Sequence, residues 1–510
     1  MSEAVAASSP RWTIVVLQLV LLYLAGLRLW FDITVSPMGD EAYYWMWGQR
    51  PDWSYFDHAP LHAWLQGIVA GVFGWSNFSV RLLTWLTTAG SLWILWLWAH
   101  RLAPADPQSW FWHTAVLYFA TPVVAIVTGI ALHDHLLLFW VLASAFAFHA
   151  FAESAEVERP DWRILYLAAA LLGLAVLTKY NGVFLGIGYA IWMLARPSLR
   201  RLLRTPHPWL AAMLAIAMQA PVLYWNLSEG LAGFRFHLAE RPSLDWTTPR
   251  PAGTLAFLGA VVLAMSPVLF AAALRLPWLR VANTRERLAR GLAGSIYFSA
   301  MLLWCALALY VQIYFHWSVV AVAALVPVLH RLLGSRIAML VHVLFGLYVA
   351  TFVVITYAVT PLAGPLADRG APANYGWPDL AARVEAARTG HPGSFLAATR
   401  YTYAAQLGFQ LGTTDIAAFN PIRSQYDYWW DAANHAGQDA IIIADRAFPI
   451  DAARTRFADL ERIEAVPVTD GLGEEIWSFE IWLGRDFQPP PLSDTRDPIS
   501  LPAQASPDQP

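Results

Sequence analysis

Residues 12–45 read WTIVVLQLVLLYLAGLRLWFDITVSPMGDEAYYW, and this stretch decides the class of the fold. Its first part, Trp12 to Trp30, is apolar over about 19 residues, which at 1.5 Å per residue spans the roughly 30 Å of a bilayer's hydrocarbon. The run follows Arg11 and has the outline of a secretory signal. No small-residue cleavage site closes it and many similar runs follow, so it reads as a retained first span. Behind it stand two adjacent carboxylates, Asp40 and Glu41, with Tyr43, Tyr44 and Trp45 alongside. Charge at the mouth of a membrane helix marks a functional site when it must sit near lipid and marks nothing when it simply faces water.

Composition supports the membrane reading. Hydrophobic residues make up 57% of the 510 residues and charged ones 14%, against about a quarter in a soluble globular chain. The formal net charge of −3 offers no basic field for a nucleic acid, so none is expected as a partner. The lone cysteine, Cys305, lies in an apolar run and leaves the redox compartment open. Basic residues are nearly all arginine, and Lys179 is the only lysine.

Further apolar runs lie near residues 79–100, 111–131, 135–152, 164–178, 182–195, 208–225, 253–274, 292–312, 317–333 and 337–360, with 60–74 as a partial or interfacial helix. The expected fold is a polytopic α-helical membrane protein with about eleven to thirteen transmembrane helices. Cytoplasmic loops carry excess Lys and Arg. With the N-terminus inside, the inner loops hold Arg101, Arg159, Arg163, Arg196, Arg200, Arg201, Arg204, Arg275, Arg280, Arg285, Arg287, Arg290, Arg331 and Arg336. Asp40-Glu41, His133-Asp134-His135, Lys179-Tyr180-Asn181, residues 226–250, His316-Trp317 and everything after residue 361 then fall on the outer face. Polar motifs scattered at random would not gather on one side.

The last 150 or so residues change character. The spacing predicts helices over 377–389, 401–411 and 451–460, and strands over 394–398, 440–444 and 475–483. The chain is therefore divided into a transmembrane domain over 1–360, a small extracytoplasmic α/β domain over 361–488 and a Pro, Ser and Asp-rich disordered tail over 489–510. No internal repeat of the kind that marks many transporters is found.

Each polar motif carries two readings. Asp40 either caps a helix starting at Glu41 or acts as a general base. Asp134, between two histidines in a short turn, either caps the next span or serves as a supporting carboxylate or metal ligand. His-Asp-His alone is no metal motif, because neighbours on a helix point to different faces. Lys179 either snorkels to headgroups or binds a phosphate at the membrane surface. His237 and Arg241, four apart, share a helix face while Arg235 lies elsewhere, and basic groups on the outer side argue for an anionic ligand. Asn77-Phe78-Ser79 and Asn226-Leu227-Ser228 match the short glycosylation pattern. Taken together, acidic groups to deprotonate a hydroxyl and cations to receive a departing lipid phosphate suggest one chemistry, in which charge stabilisation of the phosphate contributes most.

The first loop, Asp40-Glu41-Ala42-Tyr43-Tyr44-Trp45 with Tyr55-Phe56-Asp57-His58-Ala59-Pro60-Leu61, resembles bacterial members of glycosyltransferase family 39, the dolichyl-phosphate-mannose-protein mannosyltransferase-like group. The likeness continues through Leu177-Thr178-Lys179-Tyr180, Trp225-Asn226 with Phe234-Arg235-Phe236, and Ser424-Gln425-Tyr426-Asp427-Tyr428-Trp429. The resemblance implies the C-type glycosyltransferase fold, a site facing the periplasm of a bacterial inner membrane, and a polyprenyl-phosphate sugar donor. It makes Asp40 the general base or the carboxylate that organises it, with Glu41 beside it and Asp134 as a second acidic position. Similarity to the lipid A aminoarabinose transferases sets Lys179, Tyr180, Arg235, His237, Arg241 and His58 near the donor phosphate. Those transferases carry an acid-lysine pair before two prolines, whereas this chain has Asp57-His58 and keeps only Pro60. Asp57 and His237 are the pair that would hold a divalent metal, the one cofactor considered. Tyr426 and His316 are expected to contact the acceptor or the outer domain.

The expected activity is inverting transfer of a sugar from that donor to a hydroxyl of lipid A, lipopolysaccharide core or another glycolipid. A protein O-glycosyltransferase of the same family and a flippase for lipid-linked sugars are the alternatives. A flippase would place polar residues at mid-span, and a non-catalytic receptor would leave Asp40 without a task.

Overall fold

The structure is a computed structural model that describes residues 11–240, 244–281 and 283–489. Arg241 and the tail beyond residue 489 lie outside the described residues. The chain forms two compact units. Of the described residues, one unit comprises those within 11–29, 52–62 and 81–351, the other those within 30–51, 63–80 and 352–489.

Among the described residues, five helices are long and apolar enough to cross a membrane: Arg11–Thr34, Asn77–Leu102, His133–Glu156, Thr284–Leu307 and Arg336–Ala358. Four pairs of helices pass the same test only when taken together, and they are bent by 78° after Phe119, 45° after Ala217, 107° after Met265 and 53° after Ala324, as in a broken span or a re-entrant loop. Leu61–Phe73, Trp162–Thr178 and Tyr180–Ala195 are shorter apolar helices. This is a multi-pass membrane fold; by length and composition the described residues supply five to nine candidate spans, fewer than the eleven to thirteen expected, because several of the expected runs are bent or fall into helices of under 18 residues.

The four breaks share a chemical cause. Pro122, Pro221, Pro267 and Pro327 each stand in the first turn of the second helix, where a proline removes an N–H donor and crowds the preceding turn. Carbonyls freed in apolar surroundings need other donors. Leu117 O receives the Thr121 hydroxyl at 2.8 Å and His342 Nε2 at 2.9 Å, and Ala215 O receives Gln219 Nε2 at 3.1 Å. At the sharpest break Ser266 adopts φ 74°, and its hydroxyl meets the other nitrogen of His342 at 2.6 Å. Polar residues inside these spans are therefore there to repair the backbone.

The first unit's helices enclose a core rich in Ala, Val, Leu and aromatic side chains. One end of it is tied by ion pairs. Glu153 joins Arg101 at 2.8 Å and also Arg285, Glu156 joins Arg196 at 2.8 Å, and Glu286 joins Arg331 at 2.9 Å. These arginines come from four loops that the charge rule assigned to one face.

The second unit contains a five-stranded sheet: β1 (Phe395–Ala398), β2 (Ala417–Ala418), β3 (Ala440–Asp445), β4 (Phe457–Thr469) and β5 (Glu475–Phe487). Its order is β2-β1-β3-β5-β4, parallel across β2, β1 and β3 and antiparallel from β3 to β5 to β4. β3 is buried along its whole length, as its unbroken apolar run requires. The helix Tyr401–Leu411 makes the crossover after β1, and Trp377–Gly390 precedes it.

One element differs from expectation. Residues 451–460 do not form a helix: two short 3-10 turns lead into β4, which pairs with β5 from Phe457 onward. The helix-favouring residues there yield to sheet pairing, which depends on neighbours more than on propensity. β4 shows edge-strand traits, with exposed charges, Pro467 and a register shift between Arg462 and Glu464.

Candidate functional site

The first unit builds a polar site from two helix ends. His133–Glu156 begins with Asp134 in its first turn, and Trp162–Thr178 ends at Lys179. The Lys179 ammonium donates to both oxygens of Asp134, at 2.9 and 2.8 Å, with side chains 6% and 1% exposed. A buried pair of this kind carries a large desolvation cost. The helix dipoles offset part of it, since the carboxylate sits at a positive N-terminus and the ammonium at a negative C-terminus. Lys179 therefore does not snorkel.

Histidines crowd this pair. The ring of His133 lies 4.5 Å from His58 and 4.7 Å from His62, and His62 lies 5.3 Å from His135. His62, His133 and His135 are buried. His135 Nδ1 meets Thr87 Oγ1 at 2.9 Å, while that hydroxyl donates to the carbonyls of Leu83 and Thr84. Sequence reasoning missed His62 and Thr87. The available signal was a histidine and a glutamine, His62 and Gln66, one turn apart on an otherwise apolar helix.

Two further segments close on the same place. The Asp52 carboxylate accepts the Trp225 indole N–H at 3.0 Å, and Phe56 packs on Phe236 at 4.8 Å. Burial pushes the Tyr55 phenol above its ordinary pKa. Asn226 is fully buried, with its oxygen receiving the Phe234 N–H and its NH2 donating to Val222 O, both at 3.0 Å. It therefore organises the turn through Gly230 and Leu231, both at positive φ, and is closed to modification. That turn delivers His237, whose Nε2 lies 3.0 Å from the Asp57 carbonyl and whose ring stands edge-on to Tyr180 at 5.5 Å.

Asp57, His58, Asp134, Lys179, Tyr180 and His237 thus belong to one neighbourhood. Arg235 is half-exposed and points to Glu240 at 3.6 Å. His316 stacks with Tyr314. For the divalent metal, His237 engages the main-chain carbonyl of Asp57, and no group of three or more His, Cys, Asp or Glu suited to a metal occurs among the described residues.

In the second unit the acidic pair separates into two roles. Glu41 is wholly buried and its Oε2 accepts the Met38 N–H at 3.0 Å, closing the start of the Gly39–Gln49 helix. Asp40, one residue earlier, is exposed. The helix that carries it is fixed at several points. A Cβ on Gly39 would stand 2.9 Å from Thr402, and one on Gly67 would stand 2.5 Å from the Gly48 carbonyl. The Tyr43 hydroxyl accepts the Gln425 N–H at 2.8 Å, and Arg50 donates to Thr414 O and Oγ1, both at 3.1 Å, and to Trp429 O at 3.3 Å. Tyr426 is buried and stacked on Tyr43 at 6.1 Å, within the unit that holds the sheet.

Residues 57–225 match the family model described as dolichyl-phosphate-mannose-protein mannosyltransferase. A curated relative, the lipid A galacturonosyltransferase RgtD of Rhizobium johnstonii, is 31% identical over 218 residues, or 41% of this chain. The alignment spans 43% of that relative's length. Among solved structures, ArnT from Cupriavidus metallidurans in the apo state superposes with a TM-score of 0.60 at 14% identity, covering 91% of this chain and 98% of that one. The same protein bound to undecaprenyl phosphate gives 0.63 at 13% identity, over 93% and 98%. The apo oligosaccharyltransferase of Archaeoglobus fulgidus gives 0.50 at 14% identity, over 86% and 70%. At such identities the likeness is one of fold. The matched segment contains the Asp134–Lys179 pair and the histidines around it, and the fold of these ArnT structures is shared over more than nine-tenths of the chain.

Proposed function

We propose that this chain is an inverting membrane glycosyltransferase that moves a sugar from a polyprenyl-phosphate donor to a hydroxyl of lipid A, lipopolysaccharide core or a related envelope glycolipid. The observation that carries the reading is the buried Asp134–Lys179 pair with its histidines, inside the segment matched to mannosyltransferases. The relative named for lipid A and the ArnT structure named with undecaprenyl phosphate support the acceptor and donor classes.

The acceptor hydroxyl gives its proton to Asp40 and its oxygen attacks the anomeric carbon. The bond from that carbon to the phosphate oxygen breaks, and the polyprenyl phosphate leaves with the electron pair. Lys179 faces the departing phosphate, and His58, Tyr180 and His237 complete its surroundings. Asp134 is a positioning residue that aims the ammonium. Fixed charges that need no reorganisation are the most effective stabilisers of a leaving anion. The division of labour between an exposed Asp40 and a capping Glu41 supports Asp40 as the base. Arginine-rich loops at the opposite end support a bacterial inner membrane setting with the reaction on the periplasmic side.

The test is mass spectrometry of envelope glycolipids and glycoproteins from wild-type and deletion cells. The reading expects one glycolipid to lose the mass of a single sugar in the deletion. Unchanged glycolipids with a lost glycoprotein sugar would favour the protein O-glycosyltransferase alternative. Transbilayer movement of a sugar lipid in vesicles without any glycosylated product would favour a flippase.

A further inference from the structure

At the arginine-rich end of the first unit, far from the Asp134–Lys179 pair, lies a cavity of about 380 Å³ lined by Ala272, Arg275, Trp278, Leu279, Arg280 and Leu332. Asp134 and Glu153 occupy the same helix 19 residues apart, which places that end about 28 Å from the polar site. The cavity owes its shape to the 107° break at Ser266, which turns the chain aside into the short helix Pro267–Ala273 and the 3-10 turn Leu276–Trp278. Leu269, Ala273 and Leu276 face the core while Leu274 and Trp278 are left exposed, Trp278 at 78%. Arg290 holds the segment in place by donating to Leu279 O at 2.7 Å.

The neighbouring arginines Arg101, Arg196, Arg285, Arg290 and Arg331 all have partners. Arg275 and Arg280 have neither a side-chain hydrogen bond nor an ion pair among the described residues, and both line the cavity. Two unmatched guanidiniums, an exposed indole and leucine walls at the end of membrane helices combine the features that receive a phosphate head and the start of its acyl chains.

We infer that this cavity binds the headgroup of an anionic phospholipid in the leaflet that the arginine-rich end faces. Arg275 and Arg280 take the phosphate, Trp278 sits at headgroup level, and Leu279 and Leu332 meet the acyl region. The inference rests on the membrane fold and not on the transferase chemistry, so each stands or falls separately.

The test is native mass spectrometry of the full chain in detergent, titrated with phosphatidylglycerol, with phosphatidylcholine of the same acyl chains, and with sodium phosphate. Phosphatidylglycerol is expected to bind on the order of tenfold more tightly than phosphatidylcholine, since each basic group near an anionic lipid adds measurably to attraction. The pair Arg275→Gln with Arg280→Gln should abolish that preference. Lysine at both positions should retain most of it, and Arg200→Gln with Arg204→Gln should leave it intact. Equal binding of the two lipids, or a preference that survives the glutamine pair, would overturn the inference. So would complete displacement of phosphatidylglycerol by millimolar phosphate, which would identify a free-anion site.

Discussion

Lys179 Nζ lies 2.9 and 2.8 Å from the two carboxylate oxygens of Asp134, at the meeting of one helix's C-terminus with another's N-terminus. The chain keeps its only lysine for this contact. Removing either partner strands a buried charge, at a cost of about 3–5 kcal/mol. Lys179→Met or Asp134→Leu alone should therefore lower the unfolding temperature sharply in detergent. The double variant should recover most of the stability and still lack transfer activity, which separates the structural role of the pair from its chemical one.

Ion pairs at the other end should behave differently. Glu153 accepts from both Arg101 and Arg285, yet those arginines are 29% and 49% exposed. Glu153→Gln should cost at most about 1 kcal/mol, and less at high salt, measured by thermal unfolding across a salt series.

Asn226 links its own helix to the turn that carries His237. Asn226→Ala leaves the Phe234 N–H without its acceptor, a loss of about 1–3 kcal/mol. The expected outcome in steady-state kinetics is a raised KM for the polyprenyl-phosphate donor, because the displaced group is His237. A change confined to the acceptor's KM would assign the turn elsewhere.

Much of this was legible in the sequence. The run of apolar segments, the gathering of arginines and the helix and strands around Tyr401 and Ile442 follow from period and composition, which are local properties. Asp134 and Lys179 each stand out in the sequence, but their pairing is a contact across 45 residues that no local pattern reveals. His62 was hidden inside an apolar helix, and Thr87 acts only through His135. β4 was lost because its partner β5 decides its conformation. The split between Asp40 and Glu41 needed the capping geometry, since both occupy the first turn.

The Gly39–Gln49 helix crosses Leu61–Phe73 where Gly48 and Gly67 touch backbone to backbone. Gly67→Ala forces the helices apart and should reduce both folded yield and activity. Tyr43→Phe, which leaves the Gln425 N–H without its acceptor, should lower stability by about 1–3 kcal/mol, with its effect on activity following the loss of stability.

The most direct measurement is single-turnover sugar transfer by the purified full chain, compared for Asp40→Asn and Glu41→Gln alongside their unfolding temperatures. If Asp40 is the base, Asp40→Asn should slow transfer by about 10²–10⁴-fold, a loss larger than any accompanying fall in unfolding temperature accounts for. Glu41→Gln, which weakens the charged acceptor for the Met38 N–H, should instead lower the unfolding temperature. Wild-type transfer by Asp40→Asn would contradict the account.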